Sequence, residues 1–161
     1  MKPDKLQISN SLFLNSMRLP IQVQGILFRK INGEIQYLLL KTIPRRGEFW
    51  QPITGGLEEG ETKIVALKRE VKEETGIKNT VRIMKDLHYD EFWDFFKQDD
   101  CQRLIKEFAY GVEISPNDKI VMIGEHFKYR WCSFEEALKL LKWKGNKEAL
   151  EKLNEILSRQ N

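Results

Sequence analysis

The stretch from Phe49 to Ile77, FWQPITGGLEEGETKIVALKREVKEETGI, constrains this chain more than any other. Its second half is rich in good helix formers and free of internal Gly or Pro, which predicts a helix from Thr62 to about Thr75 with Gly76 as its C-terminal stop. Ile64, Leu67 and Val71 fall on one stripe of that helix and should face a core. Glu70, Glu73 and Glu74 gather on the adjacent face. Like charges one turn apart, at Glu70 and Glu74, cost a helix about a few tenths of a kcal/mol, and Arg69 beside Glu73 offsets only part of this. Ala66 lies near the same face, where a small side chain leaves room for a bound group. Three close carboxylates suit a hard divalent cation such as Mg²⁺ or Mn²⁺, because these ions prefer oxygen ligands. Taken alone, the same helix also reads as a solvated Lys/Glu surface.

The loop in front of the helix changes the balance. Thr54, Gly55, Gly56 and Gly60 make a glycine-rich turn that can bring backbone carbonyls and N–H groups close to a ligand. Loop and helix together read Gly55, five residues, Glu61, seven residues, Arg69-Glu70-Val71, one residue, Glu73-Glu74, one residue, Gly76-Ile77. This pattern resembles the Nudix box of the Nudix hydrolases, with every fixed position filled, and its length at fixed spacing makes it specific.

The remainder of the chain frames that stretch. Its 161 residues suggest one domain, spanning 18–161, preceded by a flexible or loosely docked arm over residues 1–17. Ile21, Val23, Gly25 and Leu27 alternate with Gln22, Gln24 and Ile26 as in a strand, Gln36–Lys41 reads as its partner, and Asn32-Gly33 between them is a hairpin signal. Further strands are expected at Thr80–Leu87, Arg103–Ile114 and Lys119–Ile123. The aromatic segment HYDEFWDFFKQDD reads as a connection whose Trp93, Phe95 and Phe96 either stack on a substrate base or close the core beneath a lid, the second being favoured for most of them. His88 in that segment reads as structural. Ser133-Phe134-Glu135-Glu136 fits a capping box opening a helix to about Leu141. Asn146 is expected to cap a last helix, in which Ala149, Leu150, Leu153 and Ile156 are buried. Strands and helices in this order predict an α/β (α+β) fold, a mixed sheet covered on both faces.

Composition narrows the partners. A net charge of +3 suits an anionic substrate, yet no dense Lys/Arg block marks a nucleic-acid surface, so no stable nucleic-acid partner is expected. Cys101 and Cys132 have no metal-ligand or redox spacing and read as reduced thiols of a cytoplasmic protein. No apolar run approaches a membrane span.

Beyond the box, FWQPITGGLEEGET, GEHFKYRW and WKGNKEALEKL are similar to parts of bacterial dihydroneopterin triphosphate pyrophosphatases, also described as dATP pyrophosphohydrolases, and to asymmetric diadenosine tetraphosphate hydrolases. The resemblance implies a Nudix-like α/β/α sandwich and a Mg²⁺ cofactor, with Mn²⁺ as substitute. It places metal ligands at Glu70, Glu73, Glu74 and Glu125 and at the carbonyl of Thr54. Catalytic roles fall to Glu70, Glu73 and Arg69, with Glu70 as general base and Glu125 its rival. Gly55, Glu61 and Gly76 become structural box positions, Glu61 and Arg69 bracing the loop. Arg18, Lys41, Arg45, Trp50 and Thr54 form the candidate substrate-binding set, the arginine at 45 standing with Arg46 just upstream of the loop. The implied reaction cuts a nucleoside or pterin triphosphate to monophosphate and pyrophosphate. A dinucleoside tetraphosphate hydrolase is the alternative within the class, and a non-catalytic nucleotide-binding module the alternative outside it.

Overall fold

The computed structural model describes residues 18–96, 100–122 and 126–160; the expected arm at 1–17 lies outside them. The elements in order are β1 (Arg18–Ile31), β2 (Glu34–Thr42), a short 3-10 turn (Pro44–Arg46), β3 (Trp50–Gln51), β4 (Ile53–Glu58), α1 (Lys63–Thr75), β5 (Arg82–Phe96), β6 (Cys101–Glu113), β7 (His126–Cys132), α2 (Phe134–Leu140) and α3 (Lys144–Arg159). The strands form one mixed sheet in the order β3-β2-β1-β6-β5, with β4 paired to β1 and β7 to β2. β1 and β6 run parallel. Asn32 and Gly33 both take positive φ, 51° and 82°, as a tight two-residue hairpin turn requires.

Alternation along β1 sends successive side chains to opposite faces, and each face is roofed by helix. Val23 and Leu27, with Leu38, Leu40, Ile53 and Val112, pack under Ala66, Leu67 and Val71 of α1. Ile26 and Phe28, with Tyr37, Leu39 and Ala109, pack under Ala137 of α2 and Ala149, Leu150, Leu153 and Leu157 of α3. Each roof is keyed by one close approach. Leu67 Cδ1 lies 2.8 Å from where a side-chain carbon on Gly25 would stand, and Leu153 Cδ1 lies 2.7 Å from the same place on Gly111. Burial of a leucine of this kind stabilises by roughly 2–3 kcal/mol.

α1 has the expected ends. Thr62 accepts from the Val65 N–H at 3.2 Å, and Gly76 (φ 75°) turns the chain while its N–H returns to Lys72 O. Ser133 caps α2 by accepting from the Glu136 N–H.

Four expectations change. β5 does not stop at Leu87 but continues to Phe96, so the aromatic segment is an edge strand rather than a connection. Phe96 is buried, while Trp93 (67% exposed) and Phe95 (50%) face outward and close no core. Lys119–Met122 form no strand, Ile123 lying outside the described residues: Ile120 and Met122 pack against the α1-side core, and the Val121 N–H donates to Thr75 O at the end of α1. His126–Cys132 is instead a strand, paired with β2. Asn146 does not cap α3; the helix starts at Lys144 after Trp143, and Asn146 is buried within its first turns.

Candidate active site

β4 runs along β1, and no second strand pairs with it among the described residues. Its two central glycines sit opposite Val23 and Gln22, so they face opposite sides of the sheet. On the α1 side, a methyl group on Gly55 would overlap the carboxyl group of Glu70; on the other, one on Gly56 would overlap the side chain of Arg18. Glycine at both places lets an acid and a base approach one thin strip of backbone from either side.

Arg69 organises the acidic face. Its Nε donates to Glu61 Oε1 at 2.6 Å and its Nη2 to Glu61 Oε2 at 3.0 Å, a two-pronged grip on one carboxylate. Nη2 also donates to the carbonyl of Gly56 at 2.9 Å, and the Glu58 N–H donates to Glu61 Oε2 at 2.9 Å, so loop and helix are tied together. Nη1 reaches Glu70 Oε1 at 2.8 Å and Glu73 Oε2 at 3.2 Å. The bond from Arg69 is the main reason Glu61 ionises more readily than an ordinary glutamate, and its partners hold the guanidinium more firmly protonated than usual. Glu70 behaves oppositely. Burial raises its pKa despite Arg69, with Glu73 and Glu61 adding repulsion.

The three helix carboxylates therefore differ. Glu70 is enclosed, with a side chain 13% exposed, while Glu73 is 57% exposed on the outer side of Arg69. Glu74, one turn beyond Glu70, is half-buried. Glu125 lies outside the described residues. Among the described residues no three acidic, histidine or cysteine side chains converge as a metal cage, because Glu61, Glu70 and Glu73 are all drawn to one guanidinium. The donors are nonetheless carboxylate and carbonyl oxygens, and three carboxylates sharing one guanidinium, one of them enclosed, fit a hard divalent cation.

The remaining sequence candidates divide. Thr54 is half-buried opposite Gln24, and Arg18 donates to Gln22 at 2.8 Å over the same face. Lys41 and Trp50 are register partners, with the ammonium 5.7 Å from the indole centre. Arg45 is exposed on the 3-10 turn. Sequence reasoning missed a polar row of half-buried Gln22, fully buried Gln24 and Glu107, the last 7% exposed. The signal was Glu107 itself, a charge on the strand face that also carries Ile105 and Ala109. Gln51, bonded to buried His126 at 2.9 Å, was missed as well.

The NUDIX domain family matches residues 21–153. The chain belongs to the Nudix family. As a Nudix protein it is 27% identical over 135 residues to the asymmetrical bis(5'-nucleosyl)-tetraphosphatase of Caenorhabditis elegans, covering 83% of this chain and 93% of that one. It is 26% identical over 150 residues to the dihydroneopterin triphosphate diphosphatase of Escherichia coli, covering 82% and 90%. A 31% identity over 134 residues links it to a Myxococcus xanthus protein named octanoyltransferase, of whose length the chain spans 36%. Its fold superposes on a Nudix hydrolase structure from Listeria monocytogenes with a TM-score of 0.78 at 27% identity, covering 88% of this chain and 97% of that one. The Nudix chain is accordingly a pyrophosphohydrolase acting on nucleotide-linked substrates, of a family that uses divalent metal ions. No helix among the described residues is long and apolar enough to cross a membrane.

Proposed function

We propose that this Nudix enzyme hydrolyses a nucleoside or pterin triphosphate to the monophosphate and pyrophosphate, with Mg²⁺ as its ion and Mn²⁺ as substitute. The observation that carries the proposal is the lodging of Glu70 across Gly55, on a β4 edge that no second strand pairs among the described residues, with Arg18 across the neighbouring glycine. A polyphosphate lying over that edge meets carboxylates from α1 on one side and a guanidinium on the other. Hydrolysis of such a chain requires its charge to be neutralised, a water to be activated and the two to be aligned. Glu70, Glu74, Glu125 and the Thr54 carbonyl would hold the divalent ion, with Glu73 on the outer side. Bound there, the ion supplies charge neutralisation and a more acidic water.

Glu70, enclosed against Gly55 and held by Arg69, takes the proton from the attacking water. Arg69 holds Glu70 and fastens the loop through Glu61 and Gly56. Arg18 and Lys41 serve the phosphates, and Trp50 offers the ring a flat wall. Cytoplasmic residence belongs to the same proposal. It is supported by two free cysteines, one exposed and the other, Cys132, with its thiol pushed up to about 11 by burial. A stable nucleic-acid partner is not part of it.

Incubating the purified protein with dihydroneopterin triphosphate, dATP and diadenosine tetraphosphate, and identifying products, tests the proposal. The expected products are a monophosphate and pyrophosphate, made with Mg²⁺ and lost with a chelator. The worm relative, as similar as the bacterial one, favours the second reading, in which the tetraphosphate is cut instead. Turnover of the tetraphosphate alone would establish it.

A further inference from the structure

The sheet face opposite α1 carries a polar constellation that the phosphate chemistry leaves unused. Toward the start of β1, that face presents Phe28 and Ile26 in the core, then Gln24, fully buried, then Gln22, half-buried. Glu107 on parallel β6 faces this row. Its Oε1 accepts from Gln24 Nε2 at 3.0 Å and its Oε2 accepts from Gln22 Nε2.

An ionised carboxylate only accepts hydrogen bonds, so both amides must turn their NH₂ groups toward it and their carbonyl oxygens away. The oxygen of Gln22 is used by Arg18. The oxygen of Gln24 is buried with no hydrogen-bond partner among the described residues. Such an acceptor is costly and uncommon. A second buried amide oxygen without a partner, Asn146 Oδ1, stands on the same side of the sheet. Its neighbour Gly145 abuts Asp90, which lies opposite Glu107 in register. Both amide oxygens are acceptors, and the Nε of Arg18, over Gly56 on this face, is a buried donor that likewise finds no partner among the described residues. Thr54 lies beside Gln24 in register, and Trp50 packs against the apolar cluster on the same side of the sheet.

We propose that Gln24 determines specificity by accepting a hydrogen bond, through its amide oxygen, from an exocyclic amino group on the base or pterin of the substrate. Glu107 is a positioning residue that fixes which end of that amide faces the ring. The inference rests on the triphosphate reading above and adds the ring edge selected: amino-substituted rings such as guanine, adenine and pterin, against rings lacking the amine.

Two matched pairs test it: GTP with inosine triphosphate, and ATP with purine riboside triphosphate, each differing by one amino group. The wild-type enzyme is expected to prefer the amine-bearing member of at least one pair by about tenfold or more in kcat/KM, since a site built for a polar partner rejects the analogue without it. Gln24→Leu should lower kcat/KM on the amine-bearing member far more than on its analogue, collapsing the ratio to about twofold or less. Glu107→Gln, which lets the Gln24 amide reverse, should shrink the ratio in the same direction. Gln24→Met serves if the leucine variant fails to fold, with thermal melting as the check. Equal losses on both members, or a wild-type enzyme indifferent to the amine in both pairs, would overturn the inference while leaving the triphosphate reading intact. No turnover of any triphosphate, dihydroneopterin triphosphate included, would overturn both.

Discussion

α1 and α3 are fastened to opposite faces of one sheet in the same way, each by a leucine set over a glycine, yet they use their outward faces differently. α3 spends its polar side chains on solvent and on simple ties, such as Glu148 to His88 at 3.3 Å. α1 folds its polar face back onto the neighbouring loop, where Arg69 gathers Glu61, Glu70 and Glu73. Equal anchorage with unequal use of charge separates a helix that only covers a core from one that can also carry chemistry. The difference lies in β4: Gly55 leaves beside α1 the room that the Glu70 carboxyl occupies.

The sharpest way to break this comparison is at Glu70. Glu70→Gln keeps shape and hydrogen bonds but not the base, and turnover measured by pyrophosphate release should fall by about 10²- to 10⁴-fold with the fold retained. Wild-type turnover would remove Glu70 from the chemistry. Next, Gly55→Ala places a methyl group on the Glu70 carboxyl, so activity should drop sharply together with a loss of about 1–3 kcal/mol in stability. Its counterpart on the covering helix is Leu153→Ala. That change should cost about 2–5 kcal/mol in urea unfolding while turnover per folded molecule stays near wild type. If the leucine change reduced kcat as much as the glycine change, the contrast between the helices would fail.

Arg69→Lys keeps the charge but loses the two-pronged grip on Glu61, and a cost of about 1–2 kcal/mol is expected, less than for a fully buried pair because Arg69 is 22% exposed. The smallest effect is at Glu107, whose pKa burial raises above 4.5. A carboxyl with a raised folded-state pKa gains its proton first in the folded protein. Wild type should therefore gain stability relative to Glu107→Gln as pH falls through that raised value toward 4.5, and lose the gain as pH rises. Urea midpoints at several pH values check the sign.

Local signals carried most of what the sequence revealed. Thr62, Gly76, Asn32-Gly33 and the capping box at Ser133 act on their immediate backbone, and each element they mark is present. The glycine loop and acid helix were legible for the same reason, since their spacing is fixed within one short stretch. Elements whose state depends on distant partners were not. β5 carries Tyr89, Trp93 and Phe95 outward on a sheet edge, where aromatic residues imitate a buried cluster in sequence. β7 is a strand because β2 lies beside it, and Ile120 and Met122 meet the end of α1 instead of a sheet edge. Gln22 and Gln24 read as the polar side of an alternating strand. Their amides meet Glu107, more than eighty positions away.

That separation shapes how the molecule must be made. β1 pairs in parallel with β6 from Ile21 against Lys106 through Phe28 against Glu113. During synthesis the first strand therefore waits for more than half the polypeptide before its central ladder can close, and contacts so far apart in sequence form slowly. Meanwhile the hairpin with β2 exposes Ile26, Leu27 and Phe28 to whatever is nearby. A ribosome stalled between those two strands would leave a greasy, half-zippered fragment, the kind of species that chaperones intercept.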